Sequence, residues 1–466
     1  MNIAEAKEQI RNTLAIYFRT DAKGKPVIPP ESQRPLFLLG PPGIGKTAVV
    51  EQTARELGVG FVSYTMTHHT RQSALGLPAI VRKEYGGVAY NITEYTMSEI
   101  IASVYDAMEE SGVTRGILFL DEVNCVSETL TPAMLQFLQY KTFGRHRVPD
   151  GWVVVTAGNP AAYNKGVREF DVAMMDRLKL IRVEPDYRVW RGYAAETGLH
   201  ASVLSYLDVK PDNFYRVDAR AGASDFVTAR AWYDLGRMLR CCEDADIPVD
   251  KNLIGQYIQS DVLSEDFAAY YDLFAKYRSH YDLDAILSEN GSLELLERAK
   301  DAPFDERLAL IDLLLEKTSG EAKAANGLYA MLRELQPILR GMRDGGTDTT
   351  QAAGELSAEA QHFLSANDAG GFETLQAAYE AEVETLKDGA ARLGKRLERM
   401  FSFAETAWGQ GQELSALVSR VTTGEALSAF IARHGSDAYY RCSKALLFGE
   451  RQREIERDLR ALEETL

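Results

Sequence analysis

The sequence predicts an α/β fold, a parallel sheet covered by helices, that passes into an all-helical region running to the end of the chain. Three observations predict it. Short apolar runs at residues 36–39, 117–120 and 153–157 are each four or five residues long and end in glycine or polar residues, as buried strands of a parallel sheet do. Helical patterns alternate with these runs through about residue 185, which is the order of a parallel sheet with helices on both faces. Beyond Asp186 the apolar spacing is helical, with no convincing strand.

Taken in order, residues 1–29 read as one amphipathic helix, through about Arg19, and a Lys/Gly/Pro linker over 21–30. Residues 30–185 form the α/β domain. Within it, the helix over 48–57 follows the first strand. Two short alternating runs, 79–82 and 88–92, flank Tyr85-Gly86-Gly87 and predict a β-hairpin. A helix over 171–180 carries Asp176-Arg177 near its end, and 180–183 is the last strand. Residues 186–247 form a helical lid, closed by the break Ile247-Pro248-Val249. Residues 248–466 form a helical C-terminal domain, with a loop over 341–354 around Gly345-Gly346. There Leu386, Leu393 and Met400 repeat every seven residues, as do Ala390, Leu397 and Ala404, the spacing of a helix in an antiparallel hairpin or bundle. Ordinary intramolecular core is favoured over a partner-binding coiled coil for these stripes. Ile455, Leu459, Leu462 and Leu466 supply the apolar positions of a final helix.

The chain of 466 residues has room for about three domains. No run approaches the ~18 apolar residues of a membrane span, and the polar start is unlike a signal peptide, so a cytoplasmic location is expected. Cys125, Cys241, Cys242 and Cys442 form no C-x-x-C pair, and neither a disulfide framework nor a zinc ribbon is expected. His68-His69 lacks a third ligand at sensible spacing and predicts packing rather than metal binding. Charge is uneven. Net charge is −16 overall, and residues 251–466 hold −13 of it. An acidic C-terminal half repels phosphate backbones and argues against nucleic acid as its main ligand.

The chemistry is concentrated in two motifs. Gly40-Pro41-Pro42-Gly43-Ile44-Gly45-Lys46-Thr47 fits G-x-x-x-x-G-K-[ST], preceded by a strand and followed by the helix that opens with Ala48. Its glycines let successive backbone N–H groups wrap a polyphosphate, Lys46 reaches the β- and γ-phosphates, and the Thr47 hydroxyl ligates Mg²⁺. ATP and Mg²⁺ are therefore the expected ligands. Further on, the apolar run 117–120 ends in Asp121-Glu122. Asp121 at the strand tip can hold Mg²⁺ beside Thr47, and Glu122 can polarise the water that attacks the γ-phosphate. The strand over 153–157 closes on Gly158-Asn159-Pro160, where a polar side chain can contact the γ-phosphate from the neighbouring strand.

With these motifs in this order, residues 30–245 resemble the AAA+ ATPases, and within them the MoxR-type group, which carries a helix-2 insert and is related to the ATPase subunit of magnesium chelatase. Lys46 and Thr47 match the Walker A positions, and Asp121 and Glu122 the Walker B positions. Asn159 matches sensor 1. Arg177, in Met175-Asp176-Arg177-Leu178, matches the arginine finger that reaches a neighbouring subunit's nucleotide, and Arg230 matches sensor 2. The hairpin near 79–92 matches the helix-2 insert. The chain departs from the pattern in a second hairpin shortened to 141–151, in Ala229 where a proline usually precedes the sensor 2 arginine, and in the long C-terminal region.

The resemblance implies an ATP hydrolase that assembles into a homo-oligomer, a hexameric ring, because Arg177 acts on the next subunit's nucleotide. It also implies a protein partner with a von Willebrand factor A (VWA) domain, and work in remodelling, chaperone-like maturation or metal-cofactor insertion. The helical spacing of the C-terminal region, its net −13 and its place outside the resemblance predict a separate domain that docks a partner or client, with bracing of the ring as the opposing reading. Two alternatives stand beside it: a DNA-directed AAA+ motor or clamp-loader-like protein, opposed by the acidic tail, and a nucleotide-gated scaffold with little turnover, opposed by Glu122 and Arg177.

Overall fold

The computed structural model describes all residues except 69, 164–165, 169, 218–224, 289–292, 344–355, 368–370 and 447–466. It divides into two compact units: residues 1–190, 212–234 and 256–261 in the first, and 191–211, 235–255 and 262–466 in the second. The segment expected to be a lid contributes to both.

The first unit opens with helix α1 (Ile3–Tyr17), started by a reciprocal cap. The Glu5 N–H donates to the Asn2 side chain at 2.9 Å, while the Asn2 N–H donates to the Glu5 carboxylate at 3.0 Å. Strand β1 (Leu36–Leu39) leads into α2 (Lys46–Glu56), followed by β2 (Gly60–Thr65) and α3 (Arg71–Leu75). Then come β3 (Pro78–Tyr85), β4 (Val88–Tyr95), α4 (Glu99–Ser111), β5 (Gly116–Asp121) and α5 (Thr131–Tyr140). Strands β6 (Thr142–Phe143), β7 (His146–Arg147) and β8 (Trp152–Gly158) precede α6 (Val172–Met175) and β9 (Lys179–Arg182).

Five of these strands form one parallel sheet in the order β2-β5-β8-β1-β9. Alternate residues face opposite helical layers, as a two-residue strand period requires. Leu36, Leu38, Ile117, Phe119, Val153 and Val155 pack with Ala6, Ile10 and Leu14 of α1 and Val49 and Val50 of α2. Phe37, Leu118, Leu120 and Val154 pack with Ile100, Ile101 and Val104 of α4 and with Met134 and Phe137 of α5. A sheet buried on both faces explains the unbroken apolar strand runs in the sequence. It also brings the C-terminal tips of β1, β5 and β8 side by side, where ligands bind in open α/β sheets.

Strands β3 and β4 pair antiparallel from Pro78↔Tyr95 to Tyr85↔Val88 around Gly86-Gly87, apart from the main sheet. β6 and β7 form a second small hairpin. Two expectations need correction. The helix expected over 171–180 is a single turn, Val172–Met175, because Asp171 caps it (Met174 N–H to Oδ1, 2.8 Å) and Lys179 already pairs with β1. The stretch expected to hold no strand contains the antiparallel pair β10 (Arg216–Val217) and β11 (Phe226–Val227). Two-residue strands are too short for alternation to register in sequence.

Helices α7 (Tyr187–Glu196), α8 (Ala201–Val209), α9 (Ala229–Asp244), α10 (Lys251–Tyr257), α11 (Asp261–His280), α12 (Leu283–Ile286) and α13 (Leu293–Asp301) lead to the long α14 (Phe304–Arg343). After them come α15 (Ala358–Asn367), α16 (Gly371–Trp408), α17 (Gln412–Thr423) and α18 (Glu425–His434). In the second unit α14 and α16 run antiparallel. Tyr379 bonds to the Leu332 carbonyl at 3.4 Å, whereas Arg396, further along α16, pairs with Glu321, earlier in α14. Leu393, Leu397, Met400 and Ala404 are buried with Leu308, Ile311 and Leu314, and Ala390 packs against them, so the heptad stripe from Ala390 to Ala404 is intramolecular core, whereas Leu386 is only partly buried. Glycines 345 and 346 and the apolar positions from Ile455 onward lie outside the described residues. None of the four cysteines is in a disulfide. Among the described residues no helix is long and apolar enough to cross a membrane, and no His/Cys/Asp/Glu group is arranged to hold a metal; His69 lies outside them.

The second unit also buries four charges that no local pattern announces. Arg191 makes a forked contact with Asp208 at 2.8 and 2.9 Å and reaches Asp312 at 2.9 Å. Arg420 bonds Asp312 at 2.7 Å and also contacts Asp208. Burial pushes the Asp312 carboxyl up to about 6 against the pull of Arg420 and Arg191. Among the described residues its Oδ2 has no hydrogen-bond partner. Removing one member of such a group leaves a buried charge uncompensated, which costs about 3–5 kcal/mol, whereas replacing an ion pair by apolar residues is near neutral. Arg420→Met should therefore lower unfolding free energy in urea by about 3–5 kcal/mol, and adding Asp312→Leu should restore most of it. A double variant less stable than the single one would contradict a charge-balanced cluster.

Candidate functional site

The phosphate loop spans the gap between β1 and α2. Gly43 (φ 73°) and Gly45 (φ 94°) occupy the left-handed region, where a side chain is strained. Gly43 is doubly constrained, because a Cβ there would lie 2.7 Å from the Thr228 hydroxyl. Pro41, Pro42 and Ile44 fill the loop between the glycines, and Ala48 is exposed in the first turn of α2.

Lys46 opens α2 and is 8% exposed. Its ammonium donates to Gly40 O at 2.8 Å, Pro41 O at 2.9 Å and Asn159 Oδ1 at 2.9 Å. Burial lowers its pKa to about 8; Arg230 acts in the same direction, and Asp121 and Glu122 oppose it. One residue on, the Thr47 hydroxyl donates to Asp121 Oδ2 at 3.0 Å. The other Asp121 oxygen accepts the Glu122 N–H at 2.9 Å. Glu122 stands at the tip of β5 in the left-handed region (φ 54°), and its carboxylate accepts from the Thr67 hydroxyl at 3.1 Å. Lys46, Thr47, Asp121, Glu122 and Asn159 thus meet at one edge of the sheet.

Arg177 and Arg230 are placed differently. Arg177 is exposed just after α6. Arg230 is exposed in the first turn of α9, its backbone N–H donating to Gly43 O at 3.1 Å. Sequence reasoning missed three neighbours. Thr67 holds Glu122, Tyr215 donates to Pro42 O at 2.7 Å, and Thr228 abuts Gly43. A hydroxyl just beyond a strand next to the Asp-Glu strand is the only trace Thr67 leaves in sequence; Tyr215 leaves none.

The donor set fits Mg²⁺ with a nucleoside triphosphate. A hydroxyl and a carboxylate oxygen lie 3.0 Å apart beside a loop free of Cβ atoms at Gly43 and Gly45, and a buried ammonium lies next to them. Hard oxygen ligands and a cation beside a phosphate cradle match this ligand pair.

Residues 35–178 match the family described as AAA domain (dynein-related subfamily). The chain is similar to Lon protease 2 of Borreliella burgdorferi, 28% identical over 218 residues, which cover 44% of this chain and 24% of that protein. It is also similar to the Lon protease of Endomicrobium trichonymphae, 23% identical over 246 residues, 50% of this chain and 27% of that one. The chain thus spans about a quarter of the length of the curated relatives it matches. The parallel sheet, the phosphate loop at the tip of β1 and the family match over 35–178 together identify this part of the chain as an AAA+ ATPase domain.

Proposed function

We propose that the protein is an oligomeric, MoxR-type ATP hydrolase that uses turnover to remodel or mature a protein partner. The observation that carries the hydrolysis reading is the convergence of Lys46, Thr47, Asp121, Glu122 and Asn159, spread over more than a hundred positions, at one sheet edge. In this reading Lys46 binds the β- and γ-phosphates through a charge shielded from water by the loop carbonyls. Thr47 and Asp121 hold Mg²⁺, which neutralises charge on the phosphate oxygens when bound. Glu122 accepts a hydrogen bond from the attacking water, and Asn159 orients the γ-phosphate side of the site. Arg230 lies on the helix whose first turn bonds the phosphate loop.

Arg177 supplies the neighbouring subunit's site. Its exposure supports that role, since a finger acting in trans has to stand clear of its own domain. Such a residue is worth roughly 10³–10⁵ in rate in phosphoryl-transfer enzymes. The hexameric ring, the VWA-domain partner, metal-cofactor insertion as one form of the work and a cytoplasmic location belong to the MoxR-type reading. It is supported by the β3–β4 hairpin standing apart from the main sheet and by the helical second unit.

Two experiments test the proposal. Glu122→Gln should bind ATP and release no phosphate, because the amide cannot act as a base while Thr47 and Asp121 remain; wild-type turnover in this variant would show that Glu122 has another role. Arg177→Ala should bind ATP and lose most hydrolysis, and mixing it with Glu122→Gln subunits should recover activity by pairing intact Glu122 and Arg177 at some interfaces. Mixed assemblies, shown to exchange subunits, that remain as inactive as either variant would contradict a finger in trans.

A further inference from the structure

Asn124 lies two residues after Glu122, on the short turn Val123–Cys125. It is 4% exposed and crosses to the neighbouring strand tip, where Nδ2 donates to the Asn159 backbone carbonyl at 2.8 Å. The backbone around Asn124 is anchored as well. Its carbonyl accepts the Arg168 N–H at 2.8 Å, and the Cys125 N–H closes the turn on Glu122 O at 2.9 Å. The residue before Asn159 makes room for this contact. A Cβ on Gly158 would lie 2.3 Å from Asn124 Oδ1, so the amide seats only because position 158 is glycine. Glu122 and Asn159 are carried by different strands, β5 and β8, and Asn124 is the side chain that joins the turn of one to the tip of the other.

We propose that Asn124 is a positioning residue for ATP hydrolysis, fixing the distance between the Glu122 carboxylate and the Asn159 amide so that both address the same attacking water. This rests on the hydrolytic reading above and adds to it a residue outside the set assigned to the nucleotide and metal. The buried bond works through orientation. The hydrogen bond to the Asn159 carbonyl restrains the backbone from which its side chain projects, and the same turn follows directly on the left-handed Glu122. A displacement of about 1 Å between reacting groups costs on the order of 10²-fold in rate.

The test measures steady-state phosphate release, the KM for ATP and the affinity for ADP in the full-length protein and three variants. Asn124→Asp keeps the size and removes the donor, Asn124→Ala removes the amide without adding charge, and Gly158→Ala leaves Asn124 in place and denies it its seat. All three should lower kcat by about 100-fold while KM and ADP affinity stay within about threefold. A merely structural role would lower the melting temperature and leave kcat per folded molecule intact, and kcat within about threefold of wild type in Asn124→Asp and Asn124→Ala overturns the proposal. Loss of ADP affinity in step with kcat overturns it too, because the nucleotide loop itself would then have collapsed. Wild-type protein that releases no phosphate overturns the hydrolytic reading and this inference with it; active wild type beside active Asn124 variants overturns this inference alone.

Discussion

The Lys46 ammonium holds the site in order. It is a cation taken out of water, and a buried ammonium is costly unless its three donors are met. Gly40 O, Pro41 O and Asn159 Oδ1 meet them, each within 2.9 Å. The first two belong to the loop after β1 and the third to the tip of β8, so one side chain fixes the relation between two strand ends. Asp121 and Glu122 lie near enough to favour its charged form, against burial and Arg230. In the proposed function a triphosphate offers the same ammonium a stronger set of acceptors, a role that suits a lysine better than a neutral donor.

Strand order converts this local chemistry into a composite site. β1 lies between β8 and β9, and β5 lies on the far side of β8. All five strands point the same way, so the loop after β1, the acids after β5 and the amide after β8 share one edge although their sequence positions are far apart. The two apolar layers that clamp the sheet make the strand tips rigid supports, and a site built on strand ends holds its geometry better than one built on free loops. The segment after β9 adds further restraints on the phosphate loop, through Tyr215 on Pro42 and the Arg230 N–H on Gly43.

What was legible in sequence was what chemistry writes locally. The phosphate loop is contiguous, Asp121-Glu122 directly follows an apolar run, and the Gly86-Gly87 turn sits between two alternating runs. A heptad stripe in α16 gave its buried face, because helical spacing depends on neighbours in sequence. What stayed hidden depends on partners distant in the chain. Thr67, Tyr215 and Asn124 are ordinary polar residues until folding brings Glu122, Pro42 and Asn159 beside them. The Arg191–Asp208–Asp312–Arg420 cluster is hidden for the same reason, its members spanning more than two hundred positions. The single-turn α6 and the β10–β11 pair are shorter than the periods that reveal helices and strands.

The central claim is that these residues form one magnesium-dependent ATP hydrolysis site governed by Lys46. Phosphate release from ATP by the purified full-length protein, with Mg²⁺ and with the metal chelated, beside Lys46→Ala prepared in the same way, tests it most directly. Release that requires Mg²⁺ in the wild type and is abolished in Lys46→Ala is the predicted result. Release that persists at the wild-type rate in Lys46→Ala would contradict it.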